Sequence, residues 1–239
     1  MRHHFKICPN GERKLAETEA VFFDWMGTVA HPEPDRHELF SKLAREFGVE
    51  LSPQSLIRGV MEADTRVPEG APPRYAEGKD EAPFLRWWEV LLARVGGTVA
   101  KDIRLEITRR AARQVREATW VLYDDVLPAI KALKEKGLVL GLISNMYLGR
   151  AGLDPFLDVV VTAKDVGAGK PDPLIFRTAF KRAGVAAKAA IYVGDQYELD
   201  VVGARKAGAR PILIDRYGII TEPPDCPVIQ SLSEVLGFV

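Results

Sequence analysis

Short apolar runs punctuate the chain at the intervals that a sheet interleaved with helices requires. Val21-Phe22-Phe23 is the first, and 138–143, 158–162, 190–193 and 211–214 follow. Each is apolar on consecutive residues rather than on alternate ones, the pattern of parallel strands buried on both faces. Between them, 173–183 and 199–207 carry helical composition and spacing. Another helix closes at Gly137, with Pro128 in its first turn and Ile130 and Leu133 at helical spacing. Asp124 or Asp125 is placed to cap its start.

Residues 30–122 read differently. Leu39, Phe40, Leu43, Ala44 and Phe47 mark an amphipathic helix that ends at Gly48, and helical patterns continue through 53–61, 83–95 and 101–118. No strong strand stands out there, and 67–73 is rich in Pro and Gly, as loops are. The pattern predicts an α/β protein whose parallel sheet is interrupted, after its first strand, by a helical insert.

Composition narrows the function classes. With 239 residues, 47% hydrophobic, the chain can build one or two well-filled cores. Thirty-three basic residues balance thirty-three acidic ones, so no overall field favours nucleic acid or an anionic membrane. The basic run Arg109, Arg110, Arg113 and Arg116 reads as a solvated helix face, with Glu106 and Glu117 as partners. Cys8 and Cys226 cannot form a Cys-rich zinc site and read as reduced thiols. No apolar run approaches a membrane span, and residues 1–6 lack the apolar core of a signal peptide. A cytoplasmic protein, monomer or homodimer, is expected.

Chemistry-bearing residues follow the strands. Asp24 ends the first run, where open α/β sheets bind ligands. Alone it reads as a turn residue. Gly27 and Thr28 add a permissive backbone and a hydroxyl suited to an anionic oxygen. Ser144 and Asn145 follow the second strand as candidate phosphate and substrate contacts. Lys170 stands in Gly-Lys-Pro-Asp-Pro, which lacks the spacing of a Walker loop but can set an ammonium against a phosphoryl group. Asp195 ends a strand and Asp200 lies five residues on, a pair that can converge on a hard cation.

Asp24-Trp-Met-Gly-Thr28, Ser144-Asn145, Lys170 and Gly194-Asp195 with Asp200, in that order, resemble the four motifs of the haloacid dehalogenase-like hydrolase superfamily. The resemblance spans residue 20 to about residue 215. It implies a Rossmann-like core, 1–29 and 123–239, with its first strand central and a helical cap, 30–122, inserted after motif one. It implies Asp24 as nucleophile, with Thr28, Ser144 and Lys170 around the phosphoryl group. Mg²⁺ would be held by Asp24, the Met26 carbonyl and Asp195, with Asp200 acting directly or through water. The implied substrate is a small phosphorylated metabolite, hydrolysed through an aspartyl-phosphate.

One position departs from the family. Met26 stands where its phosphatases carry the Asp that protonates the leaving group, and a thioether moves no proton. His31, Glu33 and His37, just downstream, are the candidate substitutes. Motif one is also similar to that of phosphonoacetaldehyde hydrolases, in which a cap lysine forms a Schiff base; Lys42 and Lys79 are the lysines available for that role. A degenerate member that binds metal and phosphate without turnover is the third alternative.

Overall fold

The computed structural model describes residues 17–67, 80–146, 151–220, 222 and 224–239. Cys8, Lys79 and nearly all of the Pro/Gly-rich stretch lie outside them. Six parallel strands form the main sheet: β1 (Ala20–Phe23), β4 (Val139–Ser144), β5 (Val159–Thr162), β6 (Ala190–Gly194), β7 (Arg210–Ile214) and β8 (Val228–Ile229). Their order is β5-β4-β1-β6-β7-β8, so β1 is central, with Phe23 level with Leu142 on one side and Val193 on the other.

All four residues of β1 are fully buried, and the pleat sends them alternately to two cores. Val21 and Phe23 join Leu140, Leu142 and Val193 beneath α5 (Val126–Glu135), which contributes Ala129, Ile130 and Leu133. Ala20 and Phe22 join Ile143, Val161 and Tyr192 beneath α7 (Pro173–Ala183), which follows the short α6 (Ala163–Val166) and contributes Ile175, Phe176 and Phe180. Helices on both faces explain why these strands lack alternation. The fold is α/β and Rossmann-like, as the sequence predicts. The small-residue run after Asp200 serves helix packing: a Cβ at Gly203 would sit 2.6 Å from the Phe176 ring, so α8 (Val202–Ala207) lies close on α7.

Among the described residues, β2 (Ala30–Glu33), four helices and β3 (Thr119–Leu122) come between β1 and α5. The helices are α1 (Arg36–Glu46), α2 (Pro53–Arg66), α3 (Ala82–Val95) and α4 (Lys101–Glu117). Phe40, Trp87 and Trp88 form their aromatic centre, with ring centroids 5.3–5.9 Å apart. Trp88 Nε1 donates to Thr108 Oγ1 at 2.7 Å, which satisfies its one polar atom.

Two sequence expectations need correction here. The insert is not free of strands: β2 and β3 pair antiparallel, from Ala30 opposite Leu122 to Glu33 opposite Thr119. Four residues including His31, Pro32 and Glu33 carry too little β-pattern to announce this ribbon. Asp125 stands at the N-cap of α5 but does not cap it. Its carboxylate instead binds Arg216 at 2.6 Å, Ser231 Oγ at 2.8 Å and the Leu232 N–H at 2.6 Å. Among the described residues, no helix is long and apolar enough to cross a membrane. The basic face of α4 is partnered, Arg109 by Glu106 and Arg110 by Glu46.

Candidate active site

Every motif residue sits just past, or is carried to, the carboxyl ends of β1, β4 and β6. Asp24 leaves β1 still tied to the sheet, its N–H donating to the Val193 carbonyl at 2.9 Å. The chain then turns sharply: Val29 and Ala30 both donate to the Trp25 carbonyl, and Gly27 donates to Ala30. Gly27 has φ +81°, and a Cβ there would overlap the Asp195 carboxylate. Only glycine meets both demands.

Lys170 is the hub. Its loop is fastened to β4 by Asn145, whose Oδ1 accepts from the Lys170 N–H at 2.5 Å while its Nδ2 donates to the Lys170 carbonyl at 3.1 Å. The buried ammonium then lies 2.7 Å from Asp24 Oδ1, 2.6 Å from Asp200 Oδ1 and 3.0 Å from the Tyr192 hydroxyl. Tyr192 OH is also within 3.1 Å of the Ile143 carbonyl and 3.0 Å of Asp200 Oδ1, bridging β4 to the π turn Tyr197–Val201. The second oxygen of Asp200 accepts from the Gln196 N–H at 2.9 Å. Ser144 Oγ donates to the Met146 carbonyl at 2.8 Å. Thr28 Oγ1 is buried and has no partner.

The charges do not cancel. Asp24, Asp195 and Asp200 each bring an oxygen within 4.8 Å of the others, against the single Lys170 ammonium. Burial pushes the Asp195 carboxyl well above its ordinary range, and the charges of Asp200 and Asp24 push it further. Burial also raises Asp24, and Lys170 offsets only part of that. Burial would lower Lys170, but Asp200 and Asp24 more than reverse this, so it stays charged. Asp195 Oδ1 is buried and unpartnered. Three oxygen donors carrying uncompensated negative charge suit a hard divalent cation. Asp24 and Asp195 are the freer pair, because both oxygens of Asp200 are already engaged.

The structure therefore brings together Asp24, Lys170, Asp195 and Asp200, with Met26 at the rim and the buried Thr28 in the turn that follows Asp24. Asn145 holds the lysine loop, and the Ser144 hydroxyl donates to the Met146 carbonyl within its own turn. A cavity of about 50 Å³ opens beside Met26 and Gly27, lined also by His31, Arg36, His37 and Asp195. Of the three candidate acids, His31 and His37 reach this cavity, whereas Glu33 is exposed on β2.

Sequence reading passed over Tyr192, which it took for strand core, and Arg216. Arg216 donates through Nε (3.1 Å) and Nη2 (2.5 Å) to the Thr28 carbonyl, and its guanidinium lies 4.2 Å from the centre of the Tyr123 ring. No local signal links residues 188 positions apart.

Comparisons with known proteins bear on the family and the fold. Residues 18–208 match the model of the haloacid dehalogenase-like hydrolase family. "Glyceraldehyde 3-phosphate phosphatase" of Methanopyrus kandleri is 32% identical over 138 residues, 55% of this chain and 59% of that protein. The alignment thus spans less than two thirds of that relative. "Haloacid dehalogenase-like hydrolase domain-containing protein 3" of Danio rerio is 26% identical over 90% of this chain and 93% of its own. Among solved structures, a family hydrolase from Deinococcus radiodurans R1 with bound phosphate and sodium superposes with a TM-score of 0.66. It is 18% identical and covers 92% of this chain and 94% of that one.

Proposed function

The chain belongs to the haloacid dehalogenase-like hydrolase family, and we propose that it is a Mg²⁺-dependent phosphatase of a small phosphorylated metabolite. The observation that carries this is the unbalanced cluster of three carboxylates and one buried ammonium, with the buried, unpartnered Thr28 hydroxyl in the turn that follows Asp24. Such a site lacks positive charge, which a divalent cation entering with the phosphoryl group would supply. Relatives named as phosphatases support the reaction class.

Asp24 is the nucleophile. It attacks phosphorus in line with the ester oxygen and forms an aspartyl-phosphate, which water then resolves. Lys170 neutralises Asp24 in the resting site and the phosphoryl oxygens during transfer. Thr28 Oγ1 donates to one of those oxygens, and Asn145 and Tyr192 keep Lys170 in place. Asp24, Asp195 and the Met26 carbonyl are the groups that would hold Mg²⁺, which supplies charge neutralisation between nucleophile and phosphate. Met26 protonates nothing, so the leaving group takes its proton from His31 or His37, the two histidines that line the cavity. Residues 30–122 act as the cap over a core of 1–29 and 123–239; Ile57, Val60 and Met61 of α2 close the cavity from that side.

The phosphonatase reading draws no support from the described residues. Lys42 is exposed on the outer face of α1, and no lysine lines the described cavity. Lys79 lies outside the described residues.

The test is hydrolysis of a panel of phosphomonoesters and phosphonoacetaldehyde, with Mg²⁺ or EDTA, by wild type and Asp24→Asn. Activity that needs Mg²⁺ and vanishes in Asp24→Asn is expected. Turnover surviving that substitution would sink the nucleophile assignment. Phosphonoacetaldehyde cleavage trapped by borohydride would establish a Schiff base instead, and Mg²⁺ binding without turnover would make the chain a binding module.

A further inference from the structure

The cavity wall opposite the phosphoryl site carries a buried cation whose donors are only partly used. Arg36, the first residue of α1, is 7% exposed. Its Nη1 bonds Asp64 Oδ2, and its Nη2 lies 3.1 Å from Asp64 Oδ1. Trp87 Nε1 donates to the same Oδ1 at 2.7 Å, which fixes the carboxylate from a third helix. Of its three nitrogens, one has no hydrogen-bond partner: Nε, which is buried. Buried donors are nearly always satisfied, because an unpaired one loses its water and gains nothing. This one belongs to a side chain that lines the same cavity as Met26, Gly27 and Asp195. A ligand in the cavity would complete its hydrogen bonding.

Charge decides what kind of ligand atom that is. The fork of Arg36 is already matched by Asp64, so the pair is close to neutral. Asp35, also on the wall, is answered by Tyr217 OH at 2.5 Å and by His37 at 3.5 Å. Neither pair leaves a free positive charge for a second anion. Next to Arg36 on α2, Ile57 and Val60 offer a leaving group carbon contact, and the polar side chains His31, Tyr123, Gln196 and Tyr217 that also line the cavity carry no fixed positive charge.

Resting on the phosphatase reading above, we propose that Arg36 is a specificity-determining residue, its Nε–H binding an uncharged oxygen, hydroxyl or carbonyl, on the leaving group of a short phosphomonoester. The phosphoryl end lies at Asp24 and Lys170, the carbon chain runs past Met26, and the distal oxygen meets Arg36. Esters without that oxygen leave the donor unpaired and react more slowly.

The experiment compares kcat/KM for propyl phosphate, its terminal-hydroxyl analogue and its terminal-carboxylate analogue, with p-nitrophenyl phosphate as a separate monitor of the phosphatase chemistry. The hydroxyl ester is expected to exceed the propyl ester by about ten- to a hundredfold, the range of one hydrogen bond to a charged donor. The carboxylate ester is expected to fall below the hydroxyl ester. In Arg36→Lys, which keeps a cation for Asp64 but has no Nε–H, the hydroxyl preference should shrink to within about threefold. Equal kcat/KM for the hydroxyl and propyl esters in wild type would overturn the assignment. A preference that persists in a folded Arg36→Lys would also overturn it, and a carboxylate ester that wins would refute the uncharged oxygen. If Arg36→Lys does not fold, the wild-type series still decides. If nothing is turned over, the phosphatase reading fails, and calorimetric affinities of the same three esters for Asp24→Asn with Mg²⁺ decide the role of Arg36 by the same ratios.

Discussion

Lys170→Met removes the one cation from the carboxylate cluster while keeping much of the lysine's aliphatic bulk. The ammonium lies 2.7 Å from Asp24 and 2.6 Å from Asp200, and its side chain is 3% exposed, so water cannot take its place without opening the site. Deleting one partner of a buried ion pair typically costs about 3–5 kcal/mol, because the other charge is left uncompensated. For a chain of this size that corresponds to a fall in melting temperature of about 6–20 °C. The assay is thermal and urea unfolding in EDTA, for wild type, Lys170→Met, Asp200→Asn and the double variant. Asp200→Asn removes one of the stranded charges, so the double variant should be less damaged than the sum, with a coupling of about 0.5–3 kcal/mol. Mg²⁺ should shrink the Lys170→Met penalty, since a divalent ion among the same carboxylates supplies the missing charge. A metal-free loss below about 1 kcal/mol, the worth of an exposed pair, would refute the claim that Lys170 holds the cluster together.

Three further expectations can be checked directly. Met26→Asp should raise hydrolysis of alkyl phosphates by less than the full ~10²–10⁴-fold worth of general acid–base catalysis, because His31 or His37 already gives a proton, and p-nitrophenyl phosphate least, because its leaving group departs without one; equal gains on both would mean that the acid was not what Met26 lacks. Gly27→Ala forces a left-handed backbone at about 1–2 kcal/mol and drives a methyl into the Asp195 carboxylate, so Mg²⁺ affinity by calorimetry should fall, and an unchanged affinity would contradict the contact. Asp24 and Asp195, raised above 3.8 in the fold, bind more protons folded than unfolded, so their contribution to stability is full below 3.8 and is lost as pH climbs through their folded values. Asp35 and Asp125, held below 3.8, act only in stronger acid. Metal-free protein should therefore melt lower at about pH 8 than at about pH 5, with the Mg²⁺ gain larger at the higher pH; a metal-free melting point that rises over that window would reverse the sign.

What the sequence could reveal follows from where the chemistry sits. Asp24, Asn145 and Asp195 each come immediately after a strand and Ser144 ends one, and a strand buried on both faces writes itself as consecutive apolar residues. A polar residue at the end of such a run is conspicuous. Parallel strands all end on one edge of the sheet, so residues that share this local signature also share a place. Lys170 is legible for a related reason: its loop opens α7, where Asp172 caps the helix by accepting from the Leu174 N–H at 2.8 Å and Pro173 begins it.

The role of a residue is harder to read than its place. Asn145 has the same composition and position whether its amide faces a substrate or a neighbouring backbone, and only the fold shows that Lys170 takes both its atoms. Tyr192 has no signature, because one hydroxyl in an otherwise apolar strand does not break the pattern. Arg36 and Arg216 owe their importance to Asp64 and to the Thr28 carbonyl, partners set by tertiary packing rather than spacing. Residues that react with phosphate must line the sheet edge, where sequence marks them. Residues that choose the leaving group come from whatever closes over that edge, and neither the helices between β2 and β3 nor the segment after β7 announces its inward side chains. The reaction class is therefore legible from four short motifs, whereas specificity rests on a single N–H that only the packed helices bring to the cavity.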